Sequence, residues 1–175
     1  MTNEKLEYIR GVVQDIRNFF NLKDSLNRED LLELIRKLKG TFQADKDLEV
    51  DAKIEKNIEN TVFKITIRKQ FYELRDNFSI AHELGHLFLH MGYLTDPMLW
   101  KNSNDRFDRF GYSQEELEAN EFAGNLLMPE SEFIKNFRNN YNDEKKIVNL
   151  KKLSQFFQVS PKAIEIRAKN IGLMK

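Results

Sequence analysis

The sequence predicts a mixed α+β fold, mostly helical, with a small β-sheet packed on one helix and a helix-turn-helix-like pair at the C-terminal end. Three observations predict it. Apolar residues recur at helical spacing over several long stretches, one stretch from Thr61 to Arg68 alternates with period two, and helix start and stop residues bracket most of the periodic runs.

The elements follow in order. Leu6, Ile9, Val12, Val13, Ile16, Phe19 and Phe20 share a helical face, so an amphipathic helix is expected from about residue 4 to about residue 20. Leu31, Leu32, Leu34, Ile35 and Leu38 repeat the pattern, and Gly40 stands where this second helix should stop. From Thr41 to Asn60 the chain is charged and weakly patterned, with a short strand expected near Leu48 to Ile54 and a turn around Asn57 to Asn60. Phe63, Ile65 and Ile67 alternate with Lys64, Thr66 and Arg68, the period of a half-buried strand. Asp76 or Asn77 is expected to cap a helix that carries Phe78, Ile80, Ala81, Leu84, Leu87 and Phe88 and stops near Gly92. Thr95 to Tyr112 is polar and broken by Asp96-Pro97, which reads as a long loop over a site. Ser113-Gln114-Glu115-Glu116 forms a capping box that opens a helix to Met128, with Pro129 just beyond. A shorter helix near Ser131 to Asn139 precedes the final pair, in which Leu150, Leu153, Phe156 and Phe157 are followed by a break at Gln158 to Pro161 and then by Ala163, Ile164 and Ile166.

Length and composition narrow the function. At 175 residues the chain suits one compact domain. The division expected is 1–144, with helices in 1–40, the small sheet in 41–70 and active-site helices in 75–129, and a C-terminal pair, 145–175, packed on it. Lys and Arg (28) balance Asp and Glu (28), so no chain-wide field draws the protein to nucleic acid or an anionic membrane. Cysteine is absent, which removes disulfides and thiolate metal sites and leaves histidine and carboxylate as ligands. No apolar run reaches bilayer length and the N-terminus carries no apolar leader, so a soluble, cytoplasmic protein is expected.

His82-Glu83-Leu84-Gly85-His86 carries the chemistry. Residues four apart on a helix are neighbours on one face, so His82 and His86 can aim a ring nitrogen each at one point, at distances that suit Zn2+. Glu83, one residue round the helix, falls beside that point as a base for water, and the implied reaction is metal-assisted peptide hydrolysis. Ordinary helix histidines are the alternative, but two imidazoles and a carboxylate on an otherwise apolar face are costly unless something pairs with them. Gly85 costs about 1 kcal/mol relative to alanine in a helix. Its presence suggests close approach of another backbone, that of a substrate or of the helix bearing the third ligand, unless it is simply tolerated. The third histidine, His90, extends the same stripe about 12 Å along the axis from His82, so one ion cannot easily reach all three, and a core or outer-sphere partner of the site is expected.

Catalytic zinc keeps three protein ligands and an open position, so a carboxylate must come from elsewhere. On the helix after Ser113, Glu118 shares its stripe with Phe122 and Asn125 and is expected to point inward as that ligand. Glu121 is the alternative ligand. Glu115 and Glu116 read as ordinary first-turn acids, Glu116 on a polar stripe with Asn120 and Gly124.

The run from Arg75 to His90, followed by Glu118-Ala119-Asn120-Glu121-Phe122-Ala123-Gly124-Asn125-Leu126-Leu127-Met128-Pro129, resembles the ImmA/IrrE family of bacterial and phage metallopeptidases. The resemblance implies a zincin-like fold, zinc held by His82, His86 and Glu118, and Glu83 as catalytic base. It also implies a protein substrate, a helix-turn-helix transcriptional repressor whose cleavage relieves repression. Gly124 and Asn125 stand where members of that family often carry Ala and Glu, which leaves the ligands untouched.

Two further features are open in the sequence. Lys145, Lys146, Lys151, Lys152, Lys162, Arg167, Lys169 and Lys175 make the last segment basic, yet Leu153, Phe156, Val159, Ile164 and Ile166 look spent on packing, so a docking or structural role is expected rather than direct nucleic-acid binding. Trp100, Phe107, Phe110 and Tyr112 could line a cleft or fill the core, and Tyr72, Tyr93 and Tyr112 are each candidate donors to the oxyanion. The competing functional class is a non-catalytic regulator or toxin-antitoxin component that binds its target without cutting it; the intact motif favours the enzyme.

Overall fold

The computed structural model describes residues 1–56, 61–69, 73–104, 106–108, 113–142 and 144–174. Helix α1 (Asn3–Phe19) starts at Thr2, whose side-chain oxygen accepts the Lys5 N–H, and it buries Ile9, Val13 and Ile16. Helix α2 (Arg28–Lys37) opens in a reciprocal capping box between Asn27 and Asp30 and buries Leu31, Leu34 and Ile35. Lys39, at a φ of 62°, turns the chain out of α2 one residue before the expected stop. Gly40 opens strand β1 (Gly40–Asp45), where the Phe63 ring fills the space that a Cβ would need.

Strand β1 was not foreseen in the weakly patterned stretch. It runs parallel to β3 (Phe63–Arg68), with Gly40 opposite Phe63, and β3 pairs antiparallel with β2 (Ala52–Lys56), with Ile54 opposite Ile65. A three-residue strand, β4 (Arg106–Asp108), pairs antiparallel with β2 and completes the sheet order β1-β3-β2-β4. Strand β2 therefore lies later than the expected Leu48 to Ile54, and the turn expected at 57–60 lies outside the described residues.

Helix α3 (Glu73–Gly85) packs on β2 and β3, which bury Ala52, Ile54, Phe63, Ile65 and Ile67. It starts before Asp76 and Asn77, so neither caps it. Their side chains tie α3 to its neighbours: Asp76 pairs with Arg28 of α2 at 3.3 Å, and the Asn77 amide donates to the Gln158 carbonyl at 2.9 Å. The helix continues into one π-helical turn (His86–His90), closed by Met91 N–H donating to the His86 carbonyl. Part of the expected loop is helix α4 (Pro97–Asn102), begun by an Asp96 carboxylate that accepts two N–H groups, with Pro97 at its first position.

Helix α5 (Gln114–Leu127) is the centre of the molecule. It packs on α3, on the π turn and on α1, and it buries Glu116, Glu118, Glu121 and Asn125 as well as Ala119, Phe122, Ala123, Leu126 and Leu127. Gly85 is the reason α3 can lie so close to it. A Cβ on Gly85 would stand 3.0 Å from Ala119 Cα, 3.2 Å from Ala119 O and 3.2 Å from Phe122 Cβ. Of the readings of that glycine, close approach to the carboxylate-bearing helix is the one the packing bears out.

After Pro129 come α6 (Glu130–Asn139), a two-stranded ribbon of β5 (Tyr141–Asn142) and β6 (Ile147–Val148), and helices α7 (Leu150–Phe157) and α8 (Pro161–Asn170). Gln158, in the left-handed region at a φ of 54°, turns the chain out of α7, and the Ser160 side chain caps α8. Leu153, Phe157, Val159, Ile164 and Ala168 join the apolar cluster that also holds Ile9 and Leu84. Phe156 and Ile166, expected in that packing, are 42% and 48% exposed. Among the described residues no helix is long and apolar enough to cross a membrane.

Candidate metal centre

His82 and His86 lie at the junction of α3 with the π turn, on one face of the continuous helix. Their Nε2 atoms are 3.1 Å apart and their rings meet edge to face at 72°. The third group at this point is Glu116. Ser113 accepts the Glu116 N–H at 3.2 Å and fixes that residue in the first turn of α5, and its carboxylate extends to the histidines. Glu116 Oε2 is 3.2 Å from His82 Nε2, and Glu116 Oε1 is 3.2 Å from His86 Nε2. One ligand atom from each of the three residues lies within 4.8 Å of the other two, and all three residues are buried.

Glu118, the expected ligand, is directed elsewhere. Its Oε2 is 3.0 Å from Lys5 Nζ of α1 and 3.2 Å from His90 Nε2, while Oε1 accepts from the Gln114 amide at 3.1 Å. Glu121, the alternative, pairs with the buried Arg167 of α8 at 3.4 Å and accepts from the Asn125 amide at 2.7 Å. The physical reason for the misplacement is that α5 has no single inward face. It is enclosed by α3, α1 and α8, and each neighbour takes a different carboxylate. An assumption of one apolar stripe and one solvated stripe sends Glu116 to water, whereas it is 8% exposed.

Around the cluster, His82 Nδ1 is 3.0 Å from Asn120 Oδ1, so Asn120, one turn after Glu116 on the stripe read as polar, orients the first histidine. The signal that could have revealed both residues is the four-residue spacing of Glu116 and Asn120, the same as that of His82 and His86. His86 Nδ1 is 2.9 Å from His90 Nδ1, so His90 meets the far side of the His86 ring and not the point shared with His82. Glu83 is buried at 1% exposure in the same turn as His82. Tyr93 is committed elsewhere: its hydroxyl donates to the Leu38 carbonyl at 2.8 Å. Trp100 packs beside Tyr93 at the edge of the core, with Lys56 Nζ 5.2 Å from its ring. Tyr72, Phe110 and Tyr112, and the side chain of Phe107, lie outside the described residues.

Charge at the site favours ligand-competent forms. Burial works to raise the Glu116 carboxyl, but hydrogen bonds and charge from His82 and His86 outweigh it and hold it at about 2. Burial lowers His86, more strongly than contact with Glu116 raises it. Between these partners, a proton on His86 Nε2 would stabilise Glu116, yet desolvation at 2% exposure dominates for the ring, so the neutral imidazole is its state near pH 7. A carboxylate and a neutral imidazole are the forms that bind metal.

The residues fit a metal ion. Bonds of about 2.0 to 2.2 Å in a tetrahedral sphere place donor atoms roughly 3.3 Å apart; the two Nε2 atoms are 3.1 Å apart, each meets a different Glu116 oxygen at 3.2 Å, and one atom from each residue lies within 4.8 Å of the other two. With the His82 Nδ1 proton directed to Asn120, its Nε2 presents a lone pair to a second imidazole and a carboxylate, an arrangement that a cation relieves. Two buried histidines and a glutamate from two packed helices make a cluster that could hold a metal ion, with Glu83 adjacent to His82 in the chain. The family model for the IrrE N-terminal-like domain, Peptidase_M78, matches residues 62–169, more than half of the chain and a span that includes His82, Glu83, His86 and Glu116, and the chain belongs to this metallopeptidase family. No curated protein matches it.

Proposed function

We propose that the protein is a zinc-dependent endopeptidase that hydrolyses a peptide bond in a helix-turn-helix transcriptional repressor and so relieves repression. The observation that carries this is the convergence of His82, His86 and Glu116 next to Glu83 in a buried site. His82 Nε2, His86 Nε2 and a Glu116 oxygen hold the ion, in place of the Glu118 set that the family resemblance implied. Bound there, zinc supplies Lewis acidity, lowering the pKa of water toward ~7 and polarising the scissile carbonyl. Glu83 takes a proton from the attacking water and delivers it to the departing amine nitrogen. Asn120 holds the His82 ring through Nδ1 and keeps its lone pair directed inward.

The family match over residues 62–169 supports a protein substrate; a cytoplasmic location and a zincin-like scaffold spanning residues 1–144 belong to the same proposal. The C-terminal helix-turn-helix-like pair, 145–175, is proposed as part of the same unit, because Val159, Ile164 and Ala168 are buried in the common cluster. Its exposed Lys151, Lys152, Lys162 and Lys169 suit docking of the protein substrate.

The test combines metal content with cleavage. Wild-type protein is expected to carry about one zinc per chain and to shorten a helix-turn-helix regulator encoded beside it, read by intact mass. Glu83→Gln should keep the zinc and lose cleavage, and Glu116→Gln should lose both. Zinc retained in Glu116→Gln at wild-type affinity would remove the proposed ligand set, and an uncut regulator with zinc present would point to a binding role.

A further inference from the structure

A line of contacts leads outward from the proposed zinc ligand His86 to the N-terminal helix. His86 Nδ1 meets His90 Nδ1 at 2.9 Å, His90 Nε2 meets Glu118 Oε2 at 3.2 Å, and Glu118 Oε2 meets Lys5 Nζ at 3.0 Å, while Gln114 donates to the other Glu118 oxygen. The π turn builds the first step by setting His90 directly above His86, with ring centroids 5.0 Å apart. The side chains of His90 and Glu118 are only 7% and 8% exposed, so the contact between them is largely shielded from bulk water, while Lys5, at 36%, reaches the surface.

Proton positions along this line are fixed by elementary valence. A histidine that offers its Nε2 lone pair carries its proton on Nδ1. Two Nδ1 atoms at 2.9 Å hold one proton between them, so His90 Nδ1 must be the acceptor. The His90 proton is then on Nε2, facing an acceptor that has no hydrogen to give, the Glu118 carboxylate. Each group is in the only form compatible with its neighbour.

We propose that Glu118 and His90 are positioning residues for the metal: Glu118 selects the Nε2-protonated form of His90, which accepts from His86 Nδ1–H and holds the His86 lone pair toward the ion. Glu118 thus acts on the site through two intervening rings, as an anchor and not as a ligand. The inference rests on the zinc-site reading above and adds to it a dependence of metal affinity on residues that never touch the ion.

Asparagine and glutamine separate this role from simple packing. An Asn side chain can place an oxygen where His Nδ1 was, and a Gln side chain reaches the position of Nε2. In the full-length chain, zinc affinity is measured by competition with a chromophoric chelator. His90→Gln and Glu118→Ala are each expected to weaken zinc about 10- to 100-fold, while His90→Asn should stay within roughly threefold of wild type. In the His90→Asn background, Glu118→Ala should add almost nothing, because its route to His86 is already cut. A long-range 1H–15N correlation on zinc-loaded wild type gives a second reading that needs no variant, and His90 should be protonated on Nε2.

Equal losses in His90→Asn and His90→Gln, an unchanged affinity in Glu118→Ala, or a His90 protonated on Nδ1 would each overturn the relay. Failure of wild type to bind zinc would instead defeat the underlying site. Loss of bound zinc in Glu118→Ala with full retention in Glu116→Gln would overturn both by returning the ligand to Glu118.

Discussion

Replacing Gly85 by alanine puts one methyl group into the closest contact between α3 and α5, and the size of its effect can be worked out against a control in the same molecule. The new Cβ would stand 3.0 Å from Ala119 Cα and 3.2 Å from both Ala119 O and Phe122 Cβ, and backbone on a buried helix does not yield as a flexible side chain does. Gly11, on the exposed face of α1, has nothing within 4 Å of the corresponding position. Both substitutions gain the same helix propensity, about 1 kcal/mol. Only Gly85→Ala is charged with overpacking, about 1 to 3 kcal/mol. The propensity contribution cancels in the comparison, so Gly85→Ala should be less stable than Gly11→Ala by about 1 to 3 kcal/mol, a separation of roughly 0.5 to 1.5 M in urea midpoint. The assay is urea unfolding of metal-free full-length protein, which keeps zinc binding out of the stability. Any separation of α3 from α5 also moves Glu116 away from His82 and His86, so Gly85→Leu should lose zinc. If the two alanine variants unfold at the same midpoint, or Gly85→Leu keeps its zinc and activity, the close-approach argument is wrong.

Two further outcomes follow from buried charge. Glu121→Ala leaves Arg167 in the interior without its carboxylate and should cost roughly 3 kcal/mol of stability with zinc stoichiometry unchanged; loss of zinc without loss of stability would instead restore Glu121 as a ligand. For the metal-free protein, burial lowers His86, and burial together with the charge of His86 lowers His90, so the native state binds fewer protons than the unfolded chain just below the ordinary value of 6.5. Stability should therefore rise with pH up to that value and then level. Glu116 acts in the same direction further into acid, since the stability its ionised form contributes is present above 4.5 and lost as pH falls toward about 2. A urea midpoint that does not change from about pH 5 to about pH 8 would contradict the buried neutral imidazoles.

The parts of the fold legible in the sequence are those where one face is buried and the other wet. Helices α1, α2, α7 and α8 and strand β3 follow their periodicity, whereas α5, enclosed on several sides, is marked by its Ser113 cap and by Pro129 beyond its end. Strand β1 did not show because it is an edge strand whose burial alternates only at its start, so Gly40-Thr41-Phe42-Gln43-Ala44-Asp45 carries little pattern of its own. Strand β4 depends on pairing with β2, some fifty residues earlier in the chain, which no local signal records. Helix α4 did leave a signal, a capping Asp96 followed by Pro97 at the first position, but the same dipeptide also reads as a chain break. At the site, His82, Glu83 and His86 are legible because local helix geometry alone brings them together. Glu116 is not, since its direction is decided by which helices enclose α5, and its first-turn position offered an adequate local explanation.

Three glutamates on α5 face three different parts of the chain, and this bears on which sequence changes the protein can absorb. Glu118 with Lys5 ties down α1, and Glu121 with Arg167 ties down α8. The Glu121 and Arg167 pair could be exchanged together for well-packed apolar residues at little cost, as buried ion pairs often can. Glu116 has no such freedom, because its counterpart is an arrangement of two rings and not a single opposite charge. Drift along this helix should accordingly be uneven: compensated double changes at its outer contacts, and no tolerated change at the position that looks, from its place in the helix, the most replaceable of the three.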